Sequence, residues 1–410
     1  MEFNPTLALN YAREISRPRK VGTREEEKVA QEIACQLVQS GFSVNFQTFQ
    51  FSTAHGITLS AEILIGLVLI LTTILTFGIS GWLTLFQAGL LLLLIGLLGP
   101  INKKILNCSI RSEDQDRSSL WSSLCWKLGT QYRTKNLIAT LPNSSGDPKL
   151  PHLYLVAHYD SKSQKLPLVI RIALFTLVIM GSLVFASLNL LISVNEVIAQ
   201  FSSVIGSIVI LCGVPLLFLD YGNDSPGAID NASGVGLVLH LAEVIADQSA
   251  INERLKITIL ITSAEEAAVM GALAYVQQYE AYLHRQSDGG GLQILNFDGM
   301  GVDGKLYIVG SERRFSPSPD TSLINLVRQA SEELGFPIGR FSLPGAMFDH
   351  IPFAENGFDA VSIIGIGKST WSVHTPKDSP DKLHIRGFEQ AGRMAICVIE
   401  KVSGLKINGK

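Results

Sequence analysis

Five residues scattered between positions 158 and 374 could do metal chemistry together: His158, Asp230, Glu266, Asp298 and His374, with a further carboxylate, Glu265, beside the third. Two imidazoles and three carboxylates are the donor set for a pair of divalent cations such as zinc. A spare carboxylate next to them is what activation of an attacking water requires. The chemistry implied is hydrolysis. Each residue alone has an ordinary explanation: Asp230 or Asn231 as a helix N-cap, Glu265-Glu266 as an acidic first helical turn, His374 in Val373-His374-Thr375-Pro376 as a surface-loop histidine. Their joint occurrence carries the inference.

Placing these side chains together requires an α/β scaffold. His158, Glu265, Glu266 and Asp298 each follow an apolar run of strand type, and open α/β sheets bind ligands beyond the carboxyl ends of their strands. Strands are expected at Phe42–Phe51, Asn136–Leu141, His152–Ala157, Leu255–Thr262, Gly291–Phe297, Leu306–Val309 and Ala360–Ile364. Helices are expected at about Gly234–Ala246, Ala267–Tyr279, Thr321–Leu334 and His384–Val402, and one capped by Thr23 ends near Gly41. His158 and Asp160 share a strand face, so Asp160 is placed to orient the His158 imidazole. Asp230 falls in Gly227–Gly234, a turn of small residues that leaves room for a carboxylate serving two cations.

Residues 63–102 form 40 consecutive positions without a charge, broken near the middle by Gly78-Ile79-Ser80-Gly81. This reads as two membrane spans of roughly 18 to 20 residues joined by a tight turn. A second charge-poor stretch runs from Ile172 to Asn195, meets Glu196 and resumes from Val197 to Leu219. The expectation is four transmembrane helices inserted as two hairpins. Lys103, Lys104, Arg111, Lys162, Lys165 and Arg171 flank the side where the chain enters and leaves, which predicts a cytoplasmic catalytic domain in a multi-pass membrane protein. The divisions are then 1–57 with 128–165 and 220–410 as the catalytic α/β domain, 58–102 as hairpin 1, 103–127 as a connector lying along the interface or forming a loop, and 166–219 as hairpin 2.

The 410 residues carry a net charge of -3, which gives no electrostatic case for nucleic acid. A mean hydropathy of +0.29 agrees with part of the chain lying in lipid. Five cysteines without metal-site spacing argue against a disulfide framework and for a reducing compartment. The first twenty residues have no apolar core of signal-peptide type.

Ala157-His158-Tyr159-Asp160-Ser161, Gly227 to Gly234, Ala264-Glu265-Glu266, Asn296-Phe297-Asp298, Phe348-Asp349-His350-Ile351-Pro352-Phe353 and His374-Thr375 resemble, in order, the motifs of the co-catalytic zinc aminopeptidases of peptidase clan MH. That family includes leucyl aminopeptidases, glutamate carboxypeptidases and glutaminyl cyclases, and the resemblance extends over Arg19 to Phe51. It implies a three-layer α/β/α domain with a mixed, mostly parallel central sheet, of the phosphorylase/hydrolase-like zinc peptidase type. It also implies two zinc ions per chain, one on His158, Asp230 and Asp298, the other on Asp230, Glu266 and His374. Glu265 is then the general base, with Asp160 in the catalytic set, and Asp349 and His350 border the substrate pocket. Trp371, close to His374, joins that pocket in the cyclase-like reading.

The chain departs from the family in its insertions, since 71 residues (159–229) separate His158 from Asp230. The second hairpin must therefore start and end beside the metal site, which predicts a pocket at the membrane that admits peptides released there. A zinc aminopeptidase is the leading expectation, with peptide substrates and the lipid bilayer as partners. The alternatives are a glutaminyl cyclase-like acyltransferase and a non-catalytic receptor-like member of the same fold.

Overall fold

The computed structural model describes residues 2–77, 79–112, 120–141, 149–191, 196–219, 221–310, 321–342 and 346–405. Gly78 of the first hairpin turn, residues 192–195 of the second and 113–119 of the connector lie outside the described residues. The apolar runs become strands: β1 (Ser43–Ser52), β2 (Ile110–Ser112), β3 (Gln131–Thr140), β4 (His152–His158), β5 (Ser163–Gln164), β6 (Tyr221–Gly222), β7 (Lys256–Thr262), β8 (Leu292–Asp298), β9 (Lys305–Val309), β10 (Gly339–Arg340) and β11 (Asp359–Ile366). Nine form one sheet in the order β10-β9-β11-β8-β4-β7-β3-β1-β2, and β5 pairs with β6 in a separate ribbon. The centre is parallel, β4 lying between β7 and β8 with β11 beyond β8. β3 and β9 join it antiparallel on either side.

Alternation along the central strands builds the three layers. Leu153, Leu155 and Ala157 of β4, with Ile257, Ile259 and Ile261 of β7, face the larger core under helices Pro5–Ile15, Arg24–Gln39, Ser233–Ala246, Ser322–Glu333 and Ile385–Ser403. Tyr154, Val156 and Leu260 face the opposite core under helices Met270–Gly290 and His350–Glu355. Flanked on both edges and both faces, β4 is buried from end to end, which explains its continuous apolar run.

The connector expected at 103–127 as an interfacial stretch or loop instead continues helix Gly81–Cys108, adds β2 to the edge of the sheet beside β1 and enters a helix at Leu120–Leu128, and the short strands β5, β6 and β10 were not expected either. Three further differences have a local cause. Helix Pro5–Ile15 was not anticipated; Asn4 caps it, and Ala8, Leu9, Ala12 and Ile15 form its buried stripe. β3 begins at Gln131 rather than Asn136 because it pairs with β1 along its whole length, from Ser43–Thr140 to Ser52–Gln131. The helix expected from Ala267 starts at Met270, since Ala264, Ala268 and Val269 have φ of 58°, 76° and 52° and hold the preceding segment in a left-handed turn.

Four long apolar helices stand apart from the sheet: Ala54–Leu75, Gly81–Cys108, Leu168–Leu190 and Glu196–Gly213, the last continued by the turn Val214–Phe218. Each is long enough to cross a membrane, and only 11–28% of their apolar windows is buried. Helix Ala228–Ala246 meets the same criterion of length and composition, but at 83% buried it belongs to the core of the α/β domain. The four pack on one another through Leu67, Ile70, Leu91, Phe185, Ala186 and Val209. Small residues let them approach closely: a Cβ on Gly206 would lie 2.7 Å from Phe185, and one on Gly213 would lie 2.6 Å from Leu67. Asn189 Nδ2 donates to Ser202 Oγ at 2.7 Å and ties the second pair together.

Candidate active site and metal centre

The sheet register delivers the first two ligands. Val156 of β4 pairs with Asn296 of β8, so two residues further on His158 and Asp298 stand level at adjacent strand ends. On the other flank His158 pairs with Thr262 of β7, and the chain turns immediately into Ala264, Glu265 and Glu266. Asp230 arrives from the turn that feeds helix Ser233–Ala246, and His374 from the loop after the short helix Lys368–Ser372.

Two groups of donor atoms result, His158, Asp230 and Asp298 in one and Asp230, Glu266 and His374 in the other, with the atoms of each group within 4.8 Å of one another. Asp230 is common to both. Its Oδ1 lies 3.1 Å from His158 Nε2 and its Oδ2 3.0 Å from His374 Nε2, so its two oxygens face the two groups. His374 Nε2 is also 3.0 Å from Glu266 Oε2, and Asp298 Oδ2 is 3.8 Å from His158 Nε2. Glu265 belongs to neither group, yet its Oε2 is 3.8 Å from His158 Nε2. The sequence reading had these six side chains converging, and they do.

The donor set fits a pair of cations. Among the described residues, neither ring nitrogen of His158 nor Glu266 Oε1 has a hydrogen-bond partner although all three are buried, a costly arrangement that metal ligation would relieve. Burial, with Asp230 close by, pushes Asp298 up to about 8. Burial likewise pushes Glu265 well above the usual carboxylate range, Glu266, Asp349 and Asp298 adding to it and His158 opposing it. Burial alone would lower the His158 imidazole, but Glu265 and its neighbours outweigh this and raise it. Crowded like charges of this kind are what divalent ions neutralise.

The surrounding residues fix the donors. Asp160 Oδ1 lies 3.5 Å from His158 Nδ1, while its two oxygens accept the backbone N–H groups of Glu265 and Glu266 at 3.1 and 3.3 Å. One carboxylate therefore orients a ligand and pins the loop that carries another. Asp378 does the same for the bridging turn, accepting from Ile229 N at 2.7 Å and Asp230 N at 3.3 Å. Arg19, fully buried, donates to the carbonyls of Tyr159 and Gly227 and so ties β4's end to that turn. Gly227 has φ 59°, and a Cβ there would sit 2.6 Å from Ser161, so the small-residue turn is required for packing. His374 also has a positive φ, 63°, and joins Ala264, Ala268 and Val269 as left-handed non-glycine residues in the site loops. Such conformations cost about 1–3 kcal/mol each and gather at functional sites.

Asp378 and Arg19 escaped the sequence reading. A buried guanidinium and a carboxylate that only cap backbone groups carry no local signature, although both residue types are unusual in a core. Lys162 and Arg171 were counted among the cations flanking the membrane spans, but they sit in the site: Lys162 Nζ is 2.7 Å from Glu266 Oε2 and Arg171 Nη2 is 2.7 Å from His374 Nδ1. The expected pocket residues separate. Asp349 is buried, bonded to Thr262 Oγ1, and His350 is buried against Ser362 Oγ at 2.7 Å, so both lie beneath the ligand cluster with no face to solvent. Trp371 is 53% exposed on the short helix before His374.

A family model described as peptidase family M28 matches residues 136–399, well over half of the chain. The chain belongs to peptidase family M28. Within the span of this M28 match lie all six converging residues and the second helical hairpin. Aminopeptidase YwaD of Bacillus subtilis (strain 168) is 27% identical over 183 residues, which is 43% of this chain and 37% of that protein. The chain thus spans little more than a third of the length of that curated relative. The crystal structure of BSAP, a zinc aminopeptidase from Bacillus subtilis, is similar with a TM-score of 0.55 at 14% identity, covering 100% of this chain and 97% of that one. A Bacteroides thetaiotaomicron glutaminyl cyclase bound to N-acetylhistamine gives 0.54 at 16% identity, with 100% and 99% covered. At these identities the likeness to solved structures is one of fold, and it is shared equally by peptidase and cyclase members.

Proposed function

We propose that this M28 protein is a membrane-anchored aminopeptidase that holds two zinc ions, one on His158, Asp230 and Asp298 and one on Asp230, Glu266 and His374. The observation that carries the reading is Asp230 standing between two histidines, 3.1 and 3.0 Å from their Nε2 atoms, with the unassigned carboxylate of Glu265 alongside. Bound there, a zinc pair supplies Lewis acidity to a scissile carbonyl and acidifies the attacking water. Glu265 takes a proton from that water and returns it to the leaving amine. Asp160 keeps this geometry by fixing His158 and the Glu265-Glu266 backbone together.

A panel of aminoacyl and N-terminal glutaminyl peptides offered to the zinc-loaded protein in detergent tests the reading. Release of the free N-terminal amino acid is the expected result. Ring closure with ammonia release moves the assignment to cyclase chemistry, and inertness of the metal-loaded protein favours a receptor-like role.

The four apolar helices are proposed to cross the bilayer as two hairpins whose ends return to one side. The charge bias that remains for sidedness rests on Lys103, Lys104, Arg111 and Lys165, because Lys162 and Arg171 are committed to the site. Of these, Lys103 pairs with Glu355 at 3.1 Å. Reporters fused at Lys410 and inserted near Ser80 are expected to appear on opposite faces, Lys410 in the cytoplasm. A reversed pair overturns the sidedness, and reporters on the same face overturn the spans.

A further inference from the structure

Arg171 is in an unfavourable position for a cation. It stands in the first turn of helix Leu168–Leu190, where the helix dipole repels positive charge. Among the described residues its buried Nε has no acceptor, and its Nη2 meets only a ring nitrogen, His374 Nδ1, at 2.7 Å. Among the described residues no carboxylate pairs with it; Glu266 and Asp230 act on it from longer range. An arginine fork matched by no carboxylate is an open bidentate site. Beside it, Lys162 Nζ lies 2.7 Å from Glu266 Oε2 and 5.4 Å from the centre of the Tyr221 ring. Two cations thus border Glu266 and His374, the donors of one ligand group, and both come from the segment that leads into the second hairpin.

Contact with one ring nitrogen uses a single donor of the guanidinium, and among the described residues the buried Nε is left without an acceptor. Arg171 can therefore take a further acceptor. It stays in reach of the site because Gln164 N donates to the His374 carbonyl at 2.8 Å and fixes the hairpin stem to that loop. Successive Cα atoms are about 3.8 Å apart, so a carboxylate one residue from a carbonyl held at the ligand cluster has the reach to meet the two cations.

We propose that Arg171, assisted by Lys162, is a specificity-determining residue that binds a substrate carboxylate one residue from the scissile bond. This rests on the aminopeptidase reading and names its substrate class: dipeptides with a free C-terminus, or peptides with an acidic second residue.

The test uses the full chain with Glu265→Gln, loaded with zinc in detergent, so that binding is read without turnover. Calorimetry compares leucylglycine, leucylglycinamide and leucylglutamic acid α-amide. The expected result is about tenfold or tighter binding of a carboxylate-bearing ligand over leucylglycinamide, the worth of one hydrogen bond between charged groups. Preference for leucylglycine assigns the α-carboxylate, and preference for the glutamyl amide assigns the side chain. Adding Arg171→Gln is expected to abolish the preference while zinc content is unchanged, and Arg171→Lys to restore part of it. Equal binding of all three ligands, or a preference that survives Arg171→Gln, overturns the proposal. Wild-type hydrolysis is followed in parallel: a binding preference without any hydrolysis supports the carboxylate site and counts against the peptidase reading alone.

Discussion

Glu265→Gln is expected to lower kcat on every hydrolysed peptide by about 10²–10⁴-fold, the contribution of a positioned general acid–base, with both zinc ions retained. The amide keeps the size and one acceptor of the carboxylate but cannot carry a proton from water to amine. Glu265 lies outside both donor groups, so the substitution leaves each ligand in place. Steady-state kinetics beside metal analysis of the same sample provide the check. Activity within tenfold of wild type would remove Glu265 from the proton-transfer role. Loss of zinc together with activity would make it a ligand instead.

Asp230→Ala should have the widest effect on metal content. Its two oxygens serve different histidines, His158 and His374, so truncation takes one donor from each group at once. Removal of a residue that merely supports a ligand typically costs 10–100-fold in metal affinity, and loss of a shared ligand should exceed that at both positions. After dialysis against low zinc, the variant is expected to fall from two ions towards none. His374→Ala, which leaves His158, Asp230 and Asp298 together, is expected to keep one. A variant of Asp230 that still holds one tightly bound ion would disprove bridging.

Part of the cluster was legible in the sequence because His158, Glu265, Glu266 and Asp298 follow strands with a strong local signal, whereas Asp230 and His374 come from a turn and a loop that have none. β4, β7 and β8 are apolar runs that a core demands, and the charge that ends each run has few places to go except the sheet's carboxyl edge. What the sequence concealed is tertiary. Helix Pro5–Ile15 gains its stability from packing on the core, and its buried stripe of Ala8, Leu9, Ala12 and Ile15 is too short and too rich in alanine to stand out. The left-handed residues at Ala264, Ala268 and Val269 cannot be read from alanines and a valine, whose own preference is for other backbone regions. Lys162 and Arg171 look like membrane-flanking cations in one dimension and become site residues only when β5 brings the stem against His374.

The way the two excursions are attached has a consequence for how such a protein is assembled. The first departs after Thr53, whose N–H is bonded to the Thr130 carbonyl at 3.0 Å, and the second departs from and rejoins paired neighbours, Gln164 opposite Tyr221. Each is a cassette with its two splice points side by side. Deleting either would leave a gap that a short turn can close, and the pairing of β3, β4, β7, β8 and β11 would keep its alignment. The apolar helices and the ligand cluster are thus carried by separable stretches of sequence, with two exceptions: the edge strand β2 would leave with the first excursion and Arg171 with the second.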